Sequence, residues 1–474
     1  MTTSAIEHML LRQFPYTPTP GQEELIARLA AFLIDFTSPS IFVLKGYAGT
    51  GKTTIVSALV RILPALNKQA VLLAPTGRAA KVLAGYAGRQ ALTVHKKIYR
   101  LHAAGDGSVV MTLQQNQHAD TLFIVDEASM IQNDNPNDFS LFSQRNLLDD
   151  LLFYISQGRH CKLLLIGDTA QLPPVGLTLS PALDTAYMKA AYHRDIIEQE
   201  LTGVVRQAHD SGILYNATAI RHKISLGDAA PPFFSIGSFD DLAPVSGYDF
   251  EELLNAAYTA HGWGEVVVIC RSNKRANIYN REIRRRVLYQ EDEITTGDYL
   301  MVVRNNYYWL PAGSQAGFLA NGDIIKILRI KKYHELYGFR FADMTVQMVD
   351  YPDGEEIDTR IILDTLYSES ASLTREESTN LFTAVMEDYT DTAHRRSRVE
   401  KVRNNPFFNA LQVKFAYALT CHKTLGGQWN TVFVDQGYLR DEMINVEFLR
   451  WLYTAVTRAK QQLFLVNFEE RFFM

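Results

Sequence analysis

The segment Gly46-Tyr47-Ala48-Gly49-Thr50-Gly51-Lys52-Thr53 constrains this chain more than any other. It follows the apolar, β-rich run Ile41-Phe42-Val43-Leu44 and leads directly into Thr54-Ile55-Val56. A strand, a glycine loop and a helix start, in that order, are the context a phosphate-binding loop requires. Gly46, Gly49 and Gly51 admit backbone angles closed to other residues, so successive N–H groups can turn inward onto phosphate oxygens. Lys52 adds a point charge at the β- and γ-phosphates, and Thr53 a hydroxyl ligand for Mg²⁺. Thr50 lies within the loop, and Thr54 begins a helix whose positive end also faces the anion. The bland alternative is a glycine turn that matches the pattern by accident. With the strand in place, the expected ligand is a nucleoside triphosphate with Mg²⁺.

A P-loop core accounts for only part of 474 residues; a chain of this length is expected to hold about three domains. Hydrophobic content of 47% with 21% charged residues is ordinary for a globular chain. Cys161, Cys270 and Cys421 are far apart and lack metal-ligand spacing, which argues against a disulfide or zinc framework and for a reducing compartment. Met1-Thr2-Thr3-Ser4 shows no basic region followed by an apolar core, and no apolar run approaches the ~18 residues of a membrane span. The expected location is the cytoplasm. A net charge of −5 does not advertise a nucleic-acid binder, although a footprint can be local. The clearest basic run, His394-Arg395-Arg396-Ser397-Arg398 with Lys401 and Arg403, reads first as a solvated face and second as a phosphate track.

Short aliphatic runs at Ile41–Leu44, Val71–Ala74, Leu122–Val125 and Lys162–Ile166 read as strands buried on both faces, hence a parallel sheet between helices. Val266–Ile269, Thr431–Val434 and Leu463–Val466 repeat the texture and predict a second α/β core. Between them, turn clusters (Gly297-Asp298, Asn305-Asn306, Asn321-Gly322-Asp323, Pro352-Asp353-Gly354) separate alternating runs such as Asp323–Ile330 and Met344–Met348. That spacing predicts a small antiparallel β-domain inserted in the second core. The expected division is a first core at 1–200 with a short hairpin at about 101–119, a second core at 201–290 and 408–474, and the inserted β-domain at 291–407. Tyr307-Tyr308-Trp309 reads first as core of that domain, with base stacking as the alternative.

Strand Leu122–Val125 ends in Asp126-Glu127, where a P-loop enzyme holds Mg²⁺ and activates water. Asp126 is the expected metal-side carboxylate and Glu127 the general base. An isolated Asp-Glu pair is more often just a helix start, where acids are favoured. The next strand runs into Gly167-Asp168-Thr169-Ala170-Gln171-Leu172-Pro173-Pro174, a loop made rigid by its prolines. There Gln171 can hydrogen-bond a γ-phosphate, or merely be solvated.

The order of motifs then becomes informative: the P-loop, Ala74–Ala80 (APTGRAA), Asp126–Ser129 (DEAS), and Gly167–Gly176. Leu201–Gln207 (LTGVVRQ), Tyr417–Lys423 (YALTCHK) and Leu452–Lys460 (LYTAVTRAK) follow. The chain resembles the superfamily 1 helicases, most of all the 1B branch and its RecD/Dda-like group. The match runs in the family's order from Gln22 to Lys460. The resemblance implies two RecA-like P-loop domains with parallel sheets, an inserted hairpin and an inserted SH3-like β-domain. It also implies ATP-driven, 5′→3′ movement on single-stranded DNA, separation of strands at single-strand/duplex junctions, and a place in DNA repair and recombination. Spacing and composition say nothing about direction or pathway, nor about partner proteins; a monomer would suffice.

Residue by residue, the resemblance implies that Gln22 reads the adenine edge. Arg206 and Arg458 would reach from the second core to the triphosphate as arginine fingers. Pro75, Thr76, Arg78, Thr93 and His95 are expected on loops of the first core that touch the single strand. Thr420, His422 and Lys423 would do the same from the second core. His95 and His422 have buried, satisfied histidines as their alternative. One departure stands out. The family commonly follows the lysine of the His-Lys motif with Ser-Gln-Gly, whereas Lys423 precedes Thr424-Leu425-Gly426, and Leu425 lacks an amide that could link the polymer to the nucleotide. An RNA motor, or an ATP-gated clamp on single-stranded DNA, stays open beside the DNA motor.

Overall fold

The first half of the chain builds its sheet around four strands whose central positions are apolar. A computed structural model describes residues 2–35, 40–103, 109–132, 146–203, 211–237, 239–310, 314, 317–351, 354–392 and 394–473. The strands are β1 (Ile41–Gly46), β2 (Gln69–Ala74), β3 (Ala91–Thr93), β4 (Tyr99–Ala103), β5 (Val109–Leu113), β6 (Thr121–Val125), β7 (Lys162–Gly167) and β8 (Ile196–Leu201). Six of them form a parallel sheet in the order β3-β2-β6-β7-β1-β8. The four runs expected from sequence are its centre. The two edge strands were not anticipated, for physical reasons: β3 is three residues long, and β8 carries Glu198, Gln199 and Glu200 on a partly exposed edge. β4 and β5 pair antiparallel as a separate ribbon, so the hairpin spans 99–113, with residues 104–108 outside the described set.

Past residue 240 come β9 (Leu242–Val245), β10 (Val266–Cys270), β11 (Tyr299–Val302), β12 (Ile324–Leu336), β13 (Phe339–Met348), β14 (Ile357–Ile362), β15 (Leu411–Phe415), β16 (Ala418–Thr420), β17 (Trp429–Asp435) and β18 (Ala459–Val466). A second parallel sheet runs β16-β10-β17-β18-β9, and β11 to β15 close a barrel. The barrel's last strand falls beyond residue 407. No turn residue interrupts Leu411–Leu419, yet its first part closes the barrel against β11 and β14 while Ala418–Thr420 pairs with β10. Helices Arg375–Glu387 and Arg395–Arg403 intervene between β14 and β15. The basic positions Arg395, Arg396, Lys401 and Arg403 of the second are exposed.

The two α/β cores meet through an apolar seam. Ala170 and Leu172, from the loop after β7, share one cluster with Val432, Leu449, Leu452 and Tyr453 of the second core. Helix Val446–Val456 buries Phe448, Leu449 and Trp451 to Val456, and thereby places its polar side chains at the carboxyl ends of the first sheet. Each fully buried aliphatic or aromatic side chain there contributes about 1.5–3 kcal/mol gross. Among the described residues no helix is long and apolar enough to cross a membrane.

Candidate nucleotide and single-strand site

The glycine loop after β1 takes its shape from two residues at positive φ, Gly49 at 75° and Gly51 at 87°, which a side chain would strain. Thr50 between them is fully buried and its hydroxyl donates to Tyr47 O at 2.8 Å. Helix Lys52–Ile62 begins immediately, so Lys52 lies at the loop's mouth, its Nζ donating to Gly46 O (2.6 Å) and Tyr47 O (2.8 Å). Thr53 is exposed on the first turn. Gln22, 3% exposed, braces the loop from behind: its Nε2 donates to Thr50 O at 3.0 Å, and its Oε1 accepts from Thr19 N at 2.9 Å in a capping box. Both ends of that amide are therefore engaged within the chain, and reading an adenine requires Gln22 to exchange a partner.

At the end of β6, Asp126 is held from two sides. Its Oδ1 accepts from Glu127 N at 2.9 Å, and its Oδ2 accepts from the hydroxyl of Tyr86. Burial, with the charges of Asp126 and Glu127, drives the Tyr86 phenol far above its ordinary range, so it stays a donor. Glu127 sits at φ 53°, ψ 37°, a left-handed conformation costing a non-glycine residue about 1–3 kcal/mol. Burial raises its carboxyl; Arg458 and Lys52 oppose the rise, while Asp126 and Asp168 add to it. A carboxylate moved toward neutral pH is suited to accept a proton from water.

The third strand end supplies Gln171, 7% exposed, whose side-chain oxygen is buried without a hydrogen-bond partner among the described residues. An orphaned buried acceptor costs about 1–3 kcal/mol, which a polar molecule in the cleft would recover. Nearby Asp168 accepts from Ala170 N at 2.9 Å and from the hydroxyl of Tyr453 at 2.7 Å. That same hydroxyl accepts from Ala48 N of the glycine loop at 2.9 Å, and Thr454 Oγ1 accepts from Leu172 N at 2.8 Å. Tyr453 and Thr454 thus tie the second core to two loops of the first. Both belong to the Leu452–Lys460 motif without an expected role there, and their place four and five residues before Arg458 is the signal that could have marked them.

Arg458 is 3% exposed and points across the seam. Its guanidinium donates to Thr454 O (3.1 Å) and Gly427 O (3.3 Å), and Nη1 lies 3.9 Å from Glu127 Oε1. The structure therefore brings Lys52, Asp126, Glu127, Gln171 and Arg458 to one cleft. Arg206 lies outside the described residues.

The residues expected to touch a polymer line a second junction. Arg78 occupies the first turn of helix Gly77–Ala87, and His95 a five-residue helix, rather than loops. The hydroxyls of Thr76 and Thr93 cap those helices by accepting from Ala79 N (3.2 Å) and Lys96 N (3.1 Å). Arg78 Cζ stacks 3.9 Å over the Trp429 ring. Gly426, at φ 73°, lies so close that an added Cβ would stand 2.6 Å from Ala79 Cβ. Across from them Thr420 ends β16 and His422 is exposed. Lys423 Nζ donates to Asn321 at 2.7 Å, its ammonium lowered to about 8 by burial and by Lys414. Pro75 sits where β2 meets the Gly77–Ala87 helix. Leu425 is buried. The barrel closes over this junction. Lys81 pairs with Asp350 at 3.2 Å, and Asp323 Oδ1 would stand 2.6 Å from a Cβ on Gly77. Tyr307 packs on Phe318 at 4.7 Å and Trp309 Nε1 donates to Asn409 O at 2.7 Å, so this cluster is engaged in barrel contacts. A cavity of about 440 Å³ at the barrel rim, between Tyr308 and Phe382, is lined by Tyr307 and Asn409 but by none of the residues expected to hold nucleotide or strand.

Two family models match the chain, the AAA domain over residues 18–229 and the UvrD-like helicase C-terminal domain over residues 415–466. The chain is similar to the ATP-dependent RecD2 DNA helicase of Deinococcus radiodurans, 32% identical over 206 residues that make up 43% of this chain and 25% of that protein. It is similar to the ATP-dependent DNA helicase dda of Enterobacteria phage T4, 24% identical over 455 residues, 89% of this chain and 93% of that one. The chain thus matches about a quarter of the Deinococcus relative's length and nearly all of the phage relative's. A solved structure of Pif1 helicase from Bacteroides in complex with ADP-AlF3 and ssDNA aligns over 97% of this chain and 95% of that one, at 14% identity and a TM-score of 0.46.

Proposed function

We propose that this chain, which belongs to the ATP-dependent DNA helicases of superfamily 1B and to their RecD/Dda-like group, moves 5′→3′ along single-stranded DNA and separates the strands of a duplex ahead of it. The observation that carries this reading is the seam between the cores. There Arg458 stands 3.9 Å from Glu127, beside the glycine loop and the unpartnered Gln171 oxygen.

The roles follow from the geometry. Gly46, Gly49, Thr50, Gly51 and Thr54 wrap the phosphates with backbone and hydroxyl donors, and Lys52 exchanges the Gly46 and Tyr47 carbonyls for phosphate oxygens. Thr53 and Asp126 fit Mg²⁺, because both Asp126 oxygens keep a lone pair beyond the one hydrogen bond each accepts. When bound there, the ion would neutralise charge on the phosphoryl group in transfer. Glu127 takes a proton from the attacking water, which Gln171 helps orient. Arg458, with Arg206, offsets the negative charge that develops. Gln22 stays the adenine-side residue. Pro75, Thr76, Arg78, Thr93 and His95 hold the strand from the first core, and Thr420, His422 and Lys423 from the second, so opening and closing the seam moves one grip against the other. A cytosolic setting goes with this reading, with Cys161, Cys270 and Cys421 as buried free thiols.

The test is ATP-driven strand separation on two matched DNA duplexes, one with a 5′ and one with a 3′ single-stranded tail. Unwinding of the 5′-tailed substrate alone is expected. Unwinding of the 3′-tailed one overturns the polarity. ATP hydrolysis with neither DNA unwound, but with an RNA duplex opened, moves the substrate class to RNA. DNA binding gated by ATP without unwinding of any duplex makes the chain a clamp.

A further inference from the structure

The helix Gly77–Ala87 touches both sites. At its amino-terminal end Thr76, Gly77 and Arg78 face the proposed strand path, and Gly426 and Gly427 of the second core press against Ala79, Thr76 and Arg78. From Gly427 the contact continues to Arg458, whose Nη1 bonds Gly427 O at 3.3 Å and faces Glu127. At the other end of the same helix, in its last turn, the Tyr86 hydroxyl donates to Asp126 Oδ2. Ala79, Ala80, Leu83 and Ala87 bury its inner face, so the eleven-residue rod moves as a unit rather than bending. At about 1.5 Å per residue, the helix carries its amino-terminal end and Tyr86 on one rigid element.

We propose that Tyr86 is a positioning residue that makes the Asp126 carboxylate respond to whether a single strand occupies the amino-terminal end of its helix. The inference rests on the proposed function above, and it supplies a link at the point where the chain lacks one. Leu425 is buried and apolar where the family commonly carries an amide between polymer and nucleotide, and Tyr86 joins the two sites by another route. Among the described residues Asp126 has two in-chain donors. Glu127 N is fixed by the backbone at the end of β6, while the Tyr86 hydroxyl rides on a separate element. A displacement of the helix toward or away from a bound strand therefore acts on the carboxylate directly through the Tyr86 hydrogen bond. Glu127, the adjacent residue, receives the change through its own N–H bond to the same carboxylate. The hydroxyl alone is at issue; the ring packs regardless.

The experiment compares the full-length wild type with Tyr86→Phe, which removes one oxygen and keeps the ring. Affinity for a fluorescent ATP analogue is measured with and without a saturating oligo-dT strand, and steady-state ATP hydrolysis is measured under the same two conditions. In the wild type the strand shifts nucleotide affinity by about fivefold or more, a typical coupling between linked sites. In Tyr86→Phe that ratio falls toward one, stimulation of hydrolysis falls with it, and oligo-dT affinity without nucleotide stays within twofold. Because each readout is a ratio within one preparation, a misfolded fraction does not move it. A Tyr86→Phe protein whose two ratios equal those of the wild type overturns the role of Tyr86 and leaves the motor assignment intact. A wild type that binds nucleotide but ignores the strand in both measurements overturns the reading on which this one rests.

Discussion

Both α/β cores place an aspartate at the carboxyl end of a central strand, and the two aspartates are put to opposite uses. In the second core Asp435, the last residue of β17, is fully buried. Arg275 grips it with two bonds of 2.8 and 3.0 Å, and the Tyr279 hydroxyl adds a third at 2.8 Å. In the first core Asp126, just past β6, is only partly buried and receives one backbone and one phenol donor, with no cation bonded to it among the described residues. The same sheet edge is thus sealed in one core and left open in the other. A carboxylate already neutralised by a bidentate guanidinium has no capacity for a metal or a water, whereas one held only by neutral donors keeps its charge available. The second core contributes to the cleft through the side chains of one helix instead, Tyr453, Thr454 and, just past its end, Arg458.

Four substitutions sharpen or break this comparison. Arg458→Ala should lower DNA-stimulated hydrolysis about 10³-fold, as loss of an arginine finger does, with DNA binding nearly unchanged; a normal turnover number would make it a structural arginine. Glu127→Gln should lower turnover about 10²-fold while a fluorescent ATP analogue still binds, and loss of nucleotide binding would mean that the carboxylate shapes the loop. Asp435→Asn should do the reverse. Leaving Arg275 short of its partner costs about 3 kcal/mol in a denaturant titration, with hydrolysis per folded molecule unchanged. If activity falls and stability does not, the contrast between the two strand ends is wrong.

The smallest effect concerns Asp323, which the barrel presses against the Gly77–Ala87 helix. Burial pushes its carboxyl up to about 7 from 3.8, with Asp350 adding and the Ala320 N–H opposing. Asp350 is itself paired with Lys81, and Tyr351 lies near both. Between those pH values the folded protein holds a proton that the unfolded chain has released, so stability is highest at low pH and falls as pH rises toward 7. The limiting slope is about 1.4 kcal/mol per pH unit, hence about 2 kcal/mol between pH 5.5 and 7. Asp323→Asn should flatten that part of the melting-temperature profile; an unaltered slope would assign it to other groups.

Much of the first core was legible because its signals are local. The glycine loop, the acids after β6 and the Gln171 loop each follow an apolar run within a few residues, and ligands on such sheets gather at those strand ends. Arg78 and His95 lie on helices rather than on the expected loops after strands, because the Thr76 and Thr93 hydroxyls cap and start helices there. The barrel's last strand was assigned to the second core because one continuous apolar run serves two sheets in succession.

The sequence by itself determined the strand-loop-helix unit, the acids at the next strand end, the order of motifs and hence the family, since each depends on residues adjacent in the chain. Tertiary structure alone decided which carboxylate is sealed and which is open, that Tyr453 bridges Asp168 and Ala48, and that Tyr86 reaches Asp126 from forty positions away. Those pairings depend on which face of a helix packs against which strand end. That is settled when the buried faces close together, and hydrophobic spacing along the chain does not encode the partner.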